Sequence, residues 1–409
     1  MNITIITNVF PYPLNSGGAQ AQFNMVDMLR KKHNISIIFT EDSSNRMSAM
    51  RSLSKLWPEV KFFPFRYVRQ MCYPLFFKDK AIRAFKLKFK YDDPRFQVER
   101  ALKPHGVYFS KDFRTFVNKV VSGTKTDIVQ VEFFPCLGAV ECLASNVKKI
   151  FIHHEIRFVR NRRLLGNINL TQREHEKELA VKELEIRRLN MYDAVVTLTE
   201  TDKDILERNG VIAPIFVSPA AVNTKKIPYK AWNGKMLFIG GYGHLPNKEG
   251  IDWFISRVME NLGKSVPLQI VGAGWPLSYE RENDNVKLLG FVERLEDIAP
   301  GSIMIVPILT GSGMRMKILE AAAMNIPFVT TSVGVEGLDF KNEESCLVAD
   351  TPEDFAKALK RLFIDEDLRE FIAHNASALW ERKYSVKALS EVRDDIYTNI
   401  MERNSMSVM

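Results

Sequence analysis

The sequence predicts an α/β protein of two doubly wound parallel-sheet domains facing a cleft. Short apolar runs alternate with amphipathic segments in two successive series, one before and one after residue 218 or so. The chain has 409 residues, more than the roughly 250–300 that a single core usually supports. Glycine-rich loops follow several predicted strands, where an open parallel sheet places its ligands.

In the first series the predicted strands are 3–7, 35–40, 128–132, 149–153 and 194–199. A helix over 19–30 follows the loop NVFPYPLNSGGAQ, and Thr171 and Glu174 have the spacing of a capping box that opens a polar helix. The stretch SPAAVNTKKIPYKAWNG, 218–234, reads as a linker. The second series follows it, with strands at 236–239, 268–271, 286–288, 303–306 and 328–331. The expected domains are therefore 1–217 and 218–384, with a C-terminal helix of about 385–409 able to pack back onto the first. No repeat or low-complexity tract interrupts this order.

Composition narrows the class. An apolar share of 46% with 26% charged residues suits a soluble globular protein. Cys72, Cys136, Cys142 and Cys346 form neither a disulfide framework nor a C-x-x-C metal motif, so a reducing compartment and no metal site are expected. The start, MNITIITNVFPYP, lacks a basic leader and reads as a buried strand. No run reaches the ~18 apolar residues of a membrane span. The net charge of +8 is concentrated in 78–91, where Lys78, Lys80, Arg83, Lys86, Lys88 and Lys90 face only Asp79. That segment suits a solvated surface or a surface for anionic membrane or acidic substrate equally. Nucleic acid is not an expected partner, because no nucleic-acid motif accompanies the charge.

Three glycine loops sit where a ligand would bind: Gly17 and Gly18 after the first strand, Gly240 and Gly241 after the first strand of the second series, and Gly272 after the next. The stretch GSGMRMKILEAAAMNIPFVTTSVGVEGL, 311–338, is the most informative. If Gly311, Ser312 and Gly313 form a loop and a helix starts near Met314, then Arg315 and Lys317 lie in its first turn, where the helix dipole disfavours cations. Lys317 and Glu320, three apart, could pair on one face, though lysine-first is the weaker order. A bound anion removes the difficulty. Phosphate would meet the helix-terminal amides and both cations, while Glu320 accepts from hydroxyls. A nucleotide-sugar offers both groups.

These residues resemble the donor segment of the retaining, family-four type of glycosyltransferase (glycosyl transferases group 1) with two Rossmann-like domains, the GT-B fold. PYPLNSGGAQ, DIVQVEFFP, HHEIRF, YDAVVTLTETDKDIL, FIGGYGHLPNKEGIDWF and LQIVGAG followed by VKLLGFV support it in order along nearly the whole chain. The resemblance implies a nucleoside-diphosphate-sugar co-substrate held mainly by the second domain, no further cofactor, and a glycan or lipid-linked acceptor recognised by the first. It implies retention, and the positive charge and helix-terminus amides would stabilise the departing diphosphate, making a metal ion unnecessary. Glu320 takes the position that holds ribose hydroxyls. The family's other glutamate, eight positions earlier, is replaced here by Ser312, which a subgroup with a GSG-x-R-x-K-x-LE pattern shares. His154 matches a histidine that contacts a sugar hydroxyl, although adjacent His153 leaves that assignment open. Glu132 is a candidate for acceptor binding or for capping the next turn, and Lys248 resembles a phosphate-binding lysine with the glycine spacing shifted by one. The expected location is cytoplasmic, peripheral at the inner face of a membrane, in polysaccharide or glycoconjugate assembly. A 2-epimerase acting on nucleotide-sugars and a catalytically silent nucleotide-binding scaffold are the alternatives.

Overall fold

The computed structural model describes residues 1–14, 16–40, 44–66, 98–99, 101–102, 109–166, 168–222, 224–262, 266–311 and 313–403. The basic segment 78–91 and Ser312 lie outside them. The chain divides into two compact units: Met1–Val9, Lys32–Val196 and Asp204–Phe216 form the first, and Phe10–Lys31, Thr197–Lys203 and Val217–Met409 the second.

The first sheet has seven strands, β1 (Asn2–Thr7), β2 (Asn34–Thr40), β3 (Lys61–Phe65), β4 (Ile128–Glu132), β5 (Lys148–His153), β6 (Ala194–Thr197) and β7 (Ile215–Val217), in the order β3-β2-β1-β4-β5-β6-β7. β1 pairs in parallel with β2 and β4, β2 with β3, and β4 with β5. Every residue of β4 is buried, as expected of a central strand covered on both faces.

The second sheet has six strands, β8 (Met236–Ile239), β9 (Leu268–Val271), β10 (Val286–Gly290), β11 (Ile303–Val306), β12 (Phe328–Thr330) and β13 (Leu347–Val348), in the order β10-β9-β8-β11-β12-β13. All its pairings are parallel. Alternate residues feed two cores. Met304, Val306 and Phe328 pack with Ile318, Leu319 and Ala322 of the helix Met316–Ala323. Ile303, Ile305 and Val329 pack on the other side with Phe355 and Leu359 of the helix Pro352–Ile364. The strand order reverses at β8 and β11, so the carboxyl ends of these two strands mark the ligand-binding position of such a sheet.

The predicted α/β architecture is present, and the capping box at Thr171 and Glu174 is formed. Three strands escape the sequence reading. β3 carries Pro64, which confines it to a sheet edge, while β7 and β13 are too short to show alternation. The stretch after 218 is no free linker: Ala220, Ala221 and Val222 are buried, and Asn24 donates to the Ala221 carbonyl at 2.8 Å. Asn24 lies on the helix Gly17–Leu29, which belongs to the second unit although it follows β1 in sequence.

Gly250 tests the tightness of the second core. It sits within the helix Leu245–Trp253, where alanine would ordinarily gain about 1 kcal/mol. A Cβ at this position would stand 2.0 Å from the Pro307 carbonyl oxygen just after β11. Gly250→Ala is therefore expected to lower the midpoint of chemical denaturation; a variant as stable as wild type would mean that the helix can slide away from β11.

Candidate active site

In the second unit, the loops after β8 and β9 interlock. Gly240 N–H donates to Val271 C=O at 2.7 Å, Tyr242 N–H to Ala273 C=O at 3.1 Å, and Trp275 Nε1 to Gly240 C=O at 2.8 Å. A Cβ on Gly272, whose φ is +147°, would lie 2.2 Å from Gly240 O. A Cβ on Gly240 would lie 2.5 Å from Asn247 Nδ2. Glycine at 240 and 272 is thus required by protein neighbours, whereas the sequence reading assigned both to the approach of a ligand. Asn247 is the residue that reading missed. Its Nδ2 donates to Gly241 C=O at 3.0 Å, and its Oδ1 accepts from Lys317 Nζ at 2.7 Å. One side chain therefore couples the glycine loop to the helix Met316–Ala323.

That helix starts two residues later than expected. Arg315 stands at its N-cap and Lys317 in its first turn. The Arg315 guanidinium folds back to donate to the Gly313 carbonyl, beside Gly311 and Gly313, which hold φ values of +107° and +82°. Met314 lies against the core under the sheet. Lys317 also places its ammonium 4.1 Å from the centre of the Phe238 ring, a cation–π contact. Burial, followed by the Arg315 charge, lowers the Lys317 pKa to about 7. Glu320 is only 5% exposed. Burial raises its pKa to about 7 against the opposing pull of Lys317 and a hydrogen bond from Gln20.

Gln20 comes from the helix Gly17–Leu29. The expectation of a loop at Gly17 and Gly18 is corrected, because Ser16 caps the helix by accepting from Ala19 N–H at 3.2 Å and both glycines fall in the first turn. A Cβ on Gly17 would lie 3.6 Å from Met316 Cγ. Gly17, Gln20, Lys317 and Glu320 therefore gather where two helices begin, each presenting amide N–H groups. Lys248 is directed elsewhere. It pairs with Asp252 at 3.2 Å, one turn along its own helix, and Tyr279 holds the same carboxylate.

In the first unit, the two neighbouring histidines have different surroundings. His153, 1% exposed, is bonded through Nε2 to Glu185 Oε1 at 2.9 Å. Glu185 also accepts the Arg157 and Phe158 amides at the start of the helix Arg157–Leu165, so this pair is structural. His154 is 13% exposed and meets Glu132 Oε2 at 2.8 Å. Glu132 is fully buried and its other oxygen accepts from Gln130. Both oxygens of Glu132, a candidate for acceptor binding or for capping the next turn, thus have protein partners. The Asp-x-Asp triplets at 202–204 and 365–367 lie in or beside the first turns of helices, and among the described residues no three His, Cys, Asp or Glu side chains gather as metal ligands.

Residues 233–365 match the glycosyl transferases group 1 family. An exopolysaccharide phosphotransferase of Streptomyces coelicolor is 26% identical over 233 residues, covering 52% of this chain and 24% of that protein. An uncharacterized 44.6 kDa protein of the Klebsiella pneumoniae cps region is 25% identical over 206 residues, covering 47% of this chain and 52% of its own. The matches thus span about a quarter and about half of these relatives. A variant of S. aureus TarM, crystallised with fondaparinux, α-GlcNAc-glycerol and UDP, superposes with a TM-score of 0.67 at 13% identity over 97% of this chain and 99% of that one. The chain therefore has the two-domain GT-B fold, and residues 233–365 of its second unit are similar to the glycosyl transferases group 1 family.

Proposed function

We propose that this protein transfers a sugar from a nucleoside-diphosphate donor to a glycan or lipid-linked acceptor, with retention and without a metal ion, in the assembly of a surface polysaccharide. The observation that carries this reading is the buried Lys317–Glu320 pair at the start of one helix. Both groups titrate near neutrality, so the site holds charges that its surroundings disfavour. A diphosphate beside Lys317 and Arg315 supplies opposite charge, and a ribose whose hydroxyls donate to Glu320 supplies further hydrogen bonds. As the bond from sugar C1 to the diphosphate oxygen breaks, charge grows on the departing group, and Lys317, Arg315 and the helix amides meet it. His154 contacts a hydroxyl of the reacting sugar. TarM, crystallised with UDP and a GlcNAc glycoside, and the exopolysaccharide and cps-region relatives support the donor class and the setting. No helix among the described residues is long and apolar enough to cross a membrane. A cytoplasmic site of action, with the basic segment 78–91 resting on an anionic membrane, completes the proposal on sequence grounds alone.

The pair predicts a particular pH dependence. Lys317 is depressed from 10.5 to about 7, so the unfolded chain holds the extra proton between those values and stability rises with pH across them. Glu320 is raised from 4.5 to about 7, so the folded chain holds the extra proton and stability falls as pH rises from 4.5 to 7. Their joint contribution is lowest near pH 7. Urea midpoints of wild type minus those of Lys317→Met should rise between about pH 7.5 and 10; a flat difference would show that Lys317 stays charged. Binding of UDP or GDP at pH 7.5 should take up protons, because the diphosphate restores the charge on Lys317. Calorimetry in buffers of different ionisation enthalpy reads this, and the uptake should vanish in Lys317→Met.

Affinities should divide along the ligand. Arg315→Ala and Lys317→Met should each lose about 1.5–3 kcal/mol with nucleoside diphosphate and little with nucleoside alone, as expected of a charged hydrogen bond. Glu320→Ala should weaken nucleoside while sparing inorganic pyrophosphate. Equal losses on all three ligands would reduce these residues to structural parts.

A further inference from the structure

The end of β4 is built in a way that the sheet does not require. Along a strand, consecutive side chains point to opposite faces, yet Glu132 and Phe133 both reach the imidazole of His154. Glu132 Oε2 meets its edge at Nε2, 2.8 Å away. The Phe133 ring lies flat on its face, with centroids 3.9 Å apart and planes 9° from parallel. This is possible because the chain leaves the strand with Phe133 at φ +66°, ψ +143°, a region that side chains with a Cβ rarely adopt. Such strain persists only where neighbours enforce it, and it concentrates at functional sites.

A buried carboxylate needs a partner for stability alone, and the Glu132–His154 bond would satisfy that need. It does not account for Phe133, because Glu132 is already placed by the regular strand. His153 shows what a packing histidine requires here: one buried carboxylate and no aromatic face in line with its ring. His154 instead has its Nε2 held on a carboxylate that Gln130 steadies at 2.5 Å. Its ring plane is fixed by Phe133, and its Nδ1 makes no hydrogen bond among the described residues. A carboxylate can only accept, so Nε2 carries a proton, and in a neutral ring Nδ1 would keep its lone pair.

We propose that Glu132 and Phe133 are positioning residues that lock the tautomer and plane of His154, so that Nδ1 accepts a hydrogen bond from a hydroxyl of the substrate sugar. This rests on the glycosyl-transfer reading, and it makes His154 a selector for a sugar hydroxyl able to donate. A sugar lacking that hydroxyl, or bearing fluorine there, has no proton to offer Nδ1.

The experiment joins two readouts on the full chain. Two-bond proton–nitrogen spectra of ¹⁵N-histidine protein, assigned through His154→Gln, should show His154 wholly as the Nε2–H tautomer; Glu132→Gln should lose that single state. In turnover assays, Glu132→Gln and Phe133→Gly should lower kcat at least tenfold with donor KM within twofold and melting temperature nearly unchanged. Glycine relieves the strain at 133 but removes the ring, and Phe133→Tyr should restore kcat. A His154 tautomer indifferent to Glu132→Gln, or kcat losses that merely follow melting temperature, would overturn the proposal. Were no nucleotide-sugar turned over by wild type, the transfer reading would fall while the spectra still decided whether the clamp exists.

Discussion

The second unit is organised around the cost of keeping an ammonium and a carboxylate out of water at the start of one short helix. Lys317 and Glu320 do not satisfy each other directly. The ammonium is directed to Asn247 and the Phe238 ring, and the carboxylate to Gln20. Each of those partners is tied to something else. Asn247 grips the loop after β8, whose glycine lets it approach, and that loop is bound in turn to the loop after β9. The interlocked loops, the early helix and the central strands thus all bear on two charges that fold stability alone would not select.

A similar economy governs the first unit at smaller scale. Two adjacent histidines at the end of β5 each take a buried glutamate, but only one glutamate doubles as a helix cap. The structural difference between the two rings therefore lies in what surrounds the carboxylates. Glu185 is consumed by backbone amides, whereas the histidine held by Glu132 stays partly exposed.

The parts legible in the sequence are those where one physical requirement dominates. Strands buried on both faces need apolar runs; β8 and β11 fall where unbroken runs lie, and in β4 and β9 the apolar residues outnumber Gln130, Glu132 and Gln269. The charges in 311–338 stood out because they contradict their apolar setting. The start of that helix was displaced because the glycines before Met316 carry the chain further than composition suggests. Asn247 was invisible, since an asparagine in LPNKEG looks like any helix-opening polar residue until Lys317 arrives from seventy positions away. Phe133 could not be read at all: a positive φ is announced by glycine or asparagine, and here a phenylalanine bears it. Gly240 and Gly272 gave a true signal of close approach but not of what approaches.

The assignment of the helix Gly17–Leu29 to the second unit bears on how the molecule is made. Its sequence emerges early in synthesis, long before the strands that it accompanies, and it must wait while the first sheet is translated. The unit that holds the charged pair is therefore completed by a segment stored upstream, which raises the sequence distance over which its native contacts must close. Recombination has the same problem. A chimera joined at the break near residue 217 would inherit Gln20 and Asn24 from one parent and Glu320 and Ala221 from the other, so relatives exchanging donor halves would have to exchange this helix as well.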